Sequence, residues 1–248
     1  MNERGVHIVQ HKIVSQDEWV AARQALLAKE KEFTKARDQL SEARRALPWV
    51  KVDKTYAFDG PNGKQTLAEL FDGRSQLIVY HFMFGPDWEA GCPHCSHWAD
   101  NFNSIIMHLN QRDVTMVAVS RAPSAKLVAY KKRMGWTFKW LSSQETDFNF
   151  DFNVSFTPEE VAAKDALYNF TRQNPEVSER EGVSVFFKDE RGDIFRTYST
   201  YARGIDMLNT DYNYLDLVPK GRDEGGRGPF WVRRHDEYQA APKSDCCS

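Results

Sequence analysis

Four consecutive residues, Cys92-Pro93-His94-Cys95, carry the clearest chemical signal in this sequence. Two cysteines three positions apart at the start of a helix lie on the same face, so their sulfur atoms can meet. A thiolate there faces unpaired backbone N–H groups and the positive end of the helix dipole, which lowers the pKa of a cysteine. Pro93 suits a first helical turn, and His94 adds a positive charge or a hydrogen bond. The spacing predicts a redox-active dithiol with Cys92, His94 and Cys95 as catalytic residues.

The same segment leaves metal binding open as an alternative. It offers four soft ligands within six residues: Cys92, His94, Cys95 and His97. A C-x-x-C pair is half of a common zinc site, but four ligands on one helix start do not easily surround an ion tetrahedrally. We therefore predict no resident metal and no other cofactor, with zinc or copper binding by this cluster as the alternative.

Apolar patterns predict the elements that must position the motif. A continuous apolar run over Leu77–Phe84 predicts a buried strand directly before it, and a helix is predicted over His97–Leu109. Val114–Val119 predicts a second buried strand, and residues 183–187 and 194–198 flank a turn-rich segment that predicts a closing hairpin. Strands alternating with helices are typical of an α/β fold with a mixed sheet, whose active groups lie beyond the carboxyl ends of strands.

The later part of the chain gives further predictions. Residues 158–170 and Ile205–Leu217 are predicted to be helical, and residues 218–230, which mix glycines with charges, are predicted to form a surface loop. Arg233, Arg234 and His235 are expected to form a solvated basic patch. The last residues, with Cys246 and Cys247, are expected to form a flexible tail.

A long N-terminal helix is the second strong pattern. Ser15 with Glu18 three residues later forms a capping box, and Pro48 is expected to end the helix near Ala46. Large apolar residues recur every seven positions, at Trp19, Leu26, Phe33, Leu40 and Leu47. Such a seam predicts either a homodimerisation arm or a helix lying across its own domain, and both alternatives stay open.

Composition and charge argue against several functional classes. The 248 residues carry a formal net charge of −2, which does not indicate a nucleic-acid or membrane-surface binder. No apolar run approaches the roughly 18 residues needed to span a bilayer, and the first residues lack a signal-peptide core. Four cysteines in the whole chain do not indicate a disulfide-built secreted scaffold, so we expect a cytoplasmic protein.

Several segments resemble known proteins. Three segments resemble the opening of the thioredoxin-like AhpC/TSA (peroxiredoxin-related) proteins. They are Tyr56–Phe58, Gly63–Leu67 and Leu77–Tyr80, the last followed by a cysteine. Four further segments resemble, more narrowly, a bacterial family of unknown function in that superfamily. They are Gly91–Asp100, Asp151–Phe156, Tyr198–Gly204 and Trp231–Asp236. The resemblance implies a thioredoxin-like mixed sheet flanked by helices, preceded by the long helix. The expected organisation is an N-terminal segment and helix over 1–49, a thioredoxin-like domain over 50–218 and a loop and tail over 219–248.

At matched positions the resemblance implies that Cys92 attacks and Cys95 resolves. It implies a thiol–disulfide oxidoreductase that acts on a disulfide or a small oxidised molecule and is reduced by an unidentified thiol donor. The dipeptide between the cysteines is similar to that of strongly oxidising thiol oxidases, where it stabilises the thiolate. Two departures stand out, because Glu181–Ser184 lacks the proline of thioredoxins and Glu89 stands where peroxiredoxins have threonine. Thiol peroxidase activity is the first alternative and metal binding the second.

Other residues near the motif are candidates for a substrate pocket. They are Trp88, Pro93, His97 and Val183. His81, inside the apolar strand, is expected to be a hydrogen-bonded core residue.

Overall fold

The computed structural model describes residues 11–240, and their central feature is an eight-stranded mixed sheet. Its strand order is β1-β10-β9-β4-β5-β6-β2-β3. The strands are β1 (Val50–Lys51), β2 (Ala57–Gly60), β3 (Gly63–Thr66), β4 (Gln76–His81), β5 (Val114–Ser120), β6 (Trp140–Ser142), β9 (Gly182–Lys188) and β10 (Ile194–Tyr201). A separate hairpin pairs β7 (Ala166–Tyr168) with β8 (Thr171–Gln173). The cysteines at 246 and 247 lie outside the described residues.

The helices of the described chain connect and flank these strands. They are α1 (Gln16–Arg45), α2 (Leu67–Leu70), α3 (Pro93–Ala99), α4 (Phe102–Asn110), α5 (Ser124–Arg133), α6 (Phe148–Asp151), α7 (Pro158–Ala163) and α8 (Thr210–Leu215). Two 3-10 helices cover Ala202–Leu208 and His235–Ala240.

The centre of the sheet confirms the expected fold. Strands β4, β5 and β6 are parallel and are connected through helices, whereas β9 is antiparallel to β4 and β10 is antiparallel to β9. Two βα units followed by a hairpin and a helix are the thioredoxin-like arrangement. The strand–turn–helix that carries the dithiol is therefore at the middle of the sheet.

Alternation along β4 divides the core into two clusters. Leu77 and Val79 point into one cluster, whereas Ile78 and Tyr80 point into the other, which also contains Cys95. His81 is buried on the first side, where its Nε2 lies 2.9 Å from the Ser184 hydroxyl, and burial lowers its pKa to about 3. It is thus a neutral core histidine, as expected.

Three predicted helices differ from those observed. The predicted helix over 97–109 is two helices, α3 and α4, and at the break between them Asp100 accepts a hydrogen bond from the Trp136 indole (Nε1–Oδ1 2.8 Å). Residues 158–170 form α7 and then the β7–β8 hairpin, because Asn169 and Phe170 adopt positive φ in its turn. Residues 205–217 are divided between a 3-10 helix and α8, with Asn209 extended between them.

Helix α1 begins at the predicted capping box and ends at Arg45. None of its residues is buried, so the apolar seam does not pack across the domain formed by the described residues. Its last turn approaches the sheet, where the Arg44 guanidinium lies 5.8 Å from the centre of the Tyr198 ring. Among residues 11–240, no helix has the length and apolar character needed to cross a bilayer.

Candidate active site

The dithiol lies beyond the carboxyl end of β4. A loop from Phe82 carries the chain to Cys92, whose backbone N–H donates to the Met83 carbonyl (3.0 Å). Cys92 is the N-cap of α3, and Pro93 occupies its first turn. Gly91 is required for close packing, because a Cβ at that position would lie 2.7 Å from the Phe82 ring. Local sequence therefore places Cys92 at the helix start as predicted.

The two cysteines are free thiols in different surroundings. Cys92 is partly exposed, whereas Cys95 is completely buried, and the Met83 N–H donates to the Cys95 sulfur (3.5 Å). Hydrogen bonds from the Cys95 thiol, the His94 ring and the Cys95 N–H hold the pKa of Cys92 well below its usual range. Burial, reinforced by the neighbouring Cys92 thiolate, raises the pKa of Cys95 well above its usual range. The lowered pKa favours the thiolate at Cys92, and the raised pKa favours the protonated thiol at Cys95.

His94 supplies the positive charge beside Cys92. Its Nε2 donates to the Pro229 carbonyl oxygen (3.2 Å), and its ring also interacts with the Cys92 sulfur. The Cys92 thiolate, followed by the Pro229 carbonyl, raises the pKa of His94. The two shifts favour an imidazolium at His94 beside a thiolate at Cys92.

Cys92 opens into a cavity of about 360 Å³, and the buried Cys95 lies in the wall behind it. The helix side of its wall is formed by the dithiol with His94, His97 and Trp98. The opposite side is formed by residues distant in sequence, among them Glu181, Asn209, Tyr212 and Pro229. A small molecule that enters this cavity meets the Cys92 sulfur directly.

Glu181 adds a third titratable group to the cavity. It stands immediately before β9, which pairs with β4, so its position follows from the register of the sheet. Burial raises the pKa of its carboxyl, and the Cys92 thiolate acts in the same direction. Sequence patterns singled out this segment only for its missing proline and gave no signal for the carboxyl.

His97 lines the cavity but is paired to another element. Its Nε2 lies 2.7 Å from Asp211 Oδ2 in α8, and its ring meets Tyr212 and Trp231 edge-on. It therefore fixes α8 against α3 beside the dithiol.

The other predicted pocket residues lie elsewhere. Trp88 packs on the loop at Gly85, where an added Cβ would lie 3.0 Å from the indole. Val183 is buried in the cluster that contains Cys95 because it points into the core from β9. Pro93 forms the first turn of α3 and does not line the cavity. Of the four predicted pocket residues, only His97 lines the cavity with the dithiol.

Residues 218–238, called here the C-terminal segment, pack over the site. Arg234 donates to the Gly91 carbonyl oxygen (Nη2–O 2.7 Å) and to the Tyr130 hydroxyl (Nε–Oη 2.8 Å). His235 Nδ1 lies 2.7 Å from Asp100 Oδ1. The expectation of a solvated patch at 233–235 is therefore wrong for Arg234, which is half-buried, because the basic side chains find acceptors around α3.

Metal binding has no assembled ligand set in the described chain. No group of three or more histidine, cysteine or acidic side chains between residues 11 and 240 is arranged to hold an ion. Within the four-ligand cluster, His97 is turned toward Asp211.

Solved structures with similar folds include peroxiredoxins. A PrxQ mutant of Xylella fastidiosa matches with a TM-score of 0.40 and 13% identity, covering 64% of this chain and 89% of that chain. Peroxidoxin BcpB of Mycobacterium tuberculosis matches with a TM-score of 0.41 and 12% identity, covering 63% and 90%. No curated protein matches the sequence. Residues 8–238 match the family described as bacterial protein of unknown function (DUF899), and the chain belongs to that family.

Proposed function

We propose that this protein is a thiol–disulfide oxidoreductase in which Cys92 attacks and Cys95 resolves. The observation that supports this most is the asymmetry of the two thiols. Hydrogen bonds from Cys95 and His94 lower the pKa of the partly exposed Cys92, while burial raises the pKa of Cys95. A pair of this kind has one ready nucleophile and one thiol held in reserve.

The proposed reaction transfers two electrons to a disulfide. The Cys92 thiolate attacks one sulfur of the substrate, the S–S bond breaks, and the departing thiolate takes a proton from the His94 imidazolium. Cys95 then loses its proton and attacks the Cys92 sulfur, which releases the second substrate thiolate and forms the Cys92–Cys95 disulfide. The Glu181 carboxylate lines the same cavity and can accept the Cys95 proton. An external thiol donor reduces the disulfide and completes the cycle.

The test is the pH dependence of alkylation. The reduced protein, with Cys246 and Cys247 replaced by serine, is treated with iodoacetamide between pH 5 and 9, and the modified cysteine is located by peptide mass. We expect Cys92 to react first and to remain reactive at mildly acidic pH, because the thiolate is the nucleophile. Titration of Cys92 like an ordinary thiol, near about pH 8.5, would end the proposal.

Peroxide reduction uses the same pair and needs a separate measurement. Cys92 would take one oxygen atom from a peroxide and become a sulfenic acid, which Cys95 would condense with the loss of water. Stopped-flow rates with hydrogen peroxide, compared with rates for a disulfide, separate the two activities. A peroxide rate no greater than that of free cysteine eliminates the peroxidase alternative.

A further inference from the structure

Two side chains that line the cavity each carry a buried polar atom with no hydrogen-bond partner among residues 11–240. Asn209 is 2% exposed, and its Oδ1 has no hydrogen-bond partner among residues 11–240. The Trp98 Nε1 is also buried and finds no acceptor there. Both residues line the cavity into which Cys92 opens. Buried polar groups in native proteins are almost always paired, so a ligand that reaches these two atoms from the cavity would supply the partners they lack.

The two groups specify complementary ligand chemistry. The indole N–H of Trp98 is only a donor, so it requires an acceptor. The side-chain amide of Asn209 offers an acceptor and a donor, and whichever way it is oriented it can pair with another amide. A ligand amide satisfies both, because its carbonyl accepts from the indole while it pairs with the asparagine.

The cavity also limits the size of the ligand. Its volume of about 360 Å³ lies within the range of small-molecule sites, which is roughly 300–1,000 Å³. The C-terminal segment borders the cavity, since Pro229 lines it and accepts from His94, and Arg234 bonds to Gly91 nearby.

We propose that the cavity binds a low-molecular-weight disulfide that carries an amide, as in a short peptide, with Asn209 and Trp98 binding the amide. This rests on the proposed function and deepens it by naming the substrate class. The covalent step is the exchange already described: the substrate S–S bond is reduced to two thiols while Cys92 and Cys95 are oxidised to a disulfide.

The test compares two probe disulfides. Oxidised glutathione carries amides and bis(2-hydroxyethyl) disulfide carries none. We expect Asn209→Leu and Trp98→Phe each to lower kcat/KM for oxidised glutathione roughly tenfold, which corresponds to the loss of about one hydrogen bond. The decrease should come from a higher KM. Reduction of bis(2-hydroxyethyl) disulfide should change little. Trp49→Phe, an exposed tryptophan outside the cavity, is the matched control. Equal effects of the variants on both probes, or no effect on either, would overturn the substrate assignment.

Binding to the Cys92→Ser variant separates this inference from the proposed function. Calorimetry that detects binding of oxidised glutathione, weakened by Trp98→Phe, supports the site even if the wild-type protein does not turn the disulfide over. Absence of turnover would then remove the oxidoreductase proposal and leave the binding site standing. Absence of binding to Cys92→Ser, with the disulfide still turned over by the wild-type protein, overturns the site and leaves the proposed function standing.

An independent observation concerns the exposed face of α1. The four large apolar residues of its heptad seam, Trp19, Leu26, Phe33 and Leu40, are 54%, 51%, 68% and 52% exposed. Three positions further along the chain from each stand Ala22, Lys29, Ala36 and Ala43. The seam thus alternates large and small side chains along a 30-residue helix that buries no residue of its own.

This alternation is self-complementary in the antiparallel direction. When Asp17 is placed opposite Arg45 of a second copy, the same register puts Trp19 opposite Ala43 and Leu26 opposite Ala36 of that copy. Leu40 then meets Ala22, so large side chains meet small ones along most of the seam. A parallel pair would instead stack tryptophan on tryptophan and Lys29 on Lys29.

Charge favours the same arrangement. The first turn of α1 is acidic, with Asp17 and Glu18, and the last turn is basic, with Arg44 and Arg45. Antiparallel pairing brings the acidic turn of each copy against the basic turn of the other, whereas parallel pairing brings like charges together. We propose that α1 forms a two-fold antiparallel helix pair with a second copy of this chain.

Cross-linking tests this register. In a protein whose native cysteines are replaced by serine, the A22C/L40C double variant should form a covalent dimer on oxidation, because those positions face each other across copies. L40C alone should not, and a dimer from L40C alone would instead show parallel pairing and overturn the register.

Light scattering should give a dimer for the wild-type protein and a monomer for Leu26→Glu/Leu40→Glu. Gln24→Glu/Lys31→Glu, on the opposite face, is the control and should stay dimeric. A monomeric wild-type protein would overturn the pairing.

Discussion

Arg234 donates two hydrogen bonds to the carbonyl oxygen of Gly91, with its Nε at 3.1 Å and its Nη2 at 2.7 Å. Gly91 immediately precedes Cys92, so a residue near the end of the described chain holds the loop that presents the nucleophile. The Nε of Arg234 also donates to the Tyr130 hydroxyl (2.8 Å), which in turn lies 2.9 Å from the Ser96 hydroxyl in α3. The C-terminal segment is therefore an integral part of the site.

Removing this arginine should loosen the cover over the dithiol. We expect Arg234→Leu to increase the rate of Cys92 alkylation at a fixed pH severalfold, because the segment loses its bonds to Gly91 and Tyr130. Arg191→Leu, in the exposed turn between β9 and β10, is the control and should leave the rate unchanged. Equal alkylation rates in the two variants, measured by peptide mass after timed quenching, would show that the segment does not restrict access.

The charge of His94 should control the reactivity of Cys92. Its imidazolium is one cause of the lowered pKa of Cys92, so His94→Gln should move that pKa upward and leave less thiolate below neutral pH. Alkylation at pH 6 should then be slower than in the wild-type protein, while the two rates converge at high pH, where both thiols are ionised. The exposed His108 provides the control substitution, His108→Gln. An unchanged pH profile in His94→Gln would mean that Cys95 and the helix start alone stabilise the Cys92 thiolate.

Much of the site's local framework is predictable from sequence. The apolar run before Cys92 predicts β4, and the proline after it predicts the first turn of α3, because both signals act over a few neighbouring residues. The capping box at Ser15 and Glu18 locates the start of α1 for the same reason.

The opposite wall of the cavity was not predictable, because its residues arrive through long-range packing. Glu181 depends on the antiparallel register of β9 against β4, and Arg234 bonds to a residue 143 positions earlier in the chain. Residues 158–170 were wrongly predicted to be helical to their end. There the Tyr168 hydroxyl donates to the Glu181 carbonyl (2.9 Å) and accepts from the Ala202 N–H (3.0 Å), so tertiary bonds favour a hairpin over the local helix preference.

A buried carboxyl away from the cavity should make stability depend on pH. Glu179 accepts from the Ser155 hydroxyl (2.6 Å) and from Arg121 (3.2 Å), and burial raises its pKa to about 7 from a usual 4.5. Because the folded-state pKa is the higher one, this group's contribution to stability is complete below pH 4.5 and is lost as pH rises to about 7.

Glu179→Gln should therefore remove part of the pH dependence of unfolding. Between about pH 4.5 and 7 the wild-type free energy of unfolding should fall relative to that of the variant, by at most about 1.4 kcal/mol per pH unit. Urea unfolding across this range measures the difference, with the exposed Glu190→Gln as control. Parallel curves for the wild-type protein and Glu179→Gln would mean that Glu179 is ionised at the same pH in the folded and unfolded chains.

Gly182 should be intolerant of any side chain. It pairs with Tyr201 across β9 and β10, and an added Cβ would lie 2.7 Å from Tyr201 Cδ1 and 3.2 Å from Val154 Cγ1. The tyrosine has little room to move, because its hydroxyl donates to the Phe152 carbonyl (3.1 Å). Gly182→Ala should therefore lower the free energy of unfolding by about 1–3 kcal/mol, the usual effect of overpacking a core.

Gly60→Ala is the matched control for this overpacking. At Gly60 the nearest atom to an added Cβ is Leu141 Cδ2 at 3.4 Å, an ordinary contact, so we expect a change within about 0.5 kcal/mol. Because Gly182 directly follows Glu181, a shift of this strand would also move the carboxyl that lines the cavity. Loss of disulfide reduction by Gly182→Ala at a temperature where it remains folded would connect β9 to the chemistry, whereas equal stability of the two variants would show that Tyr201 yields to the new methyl group.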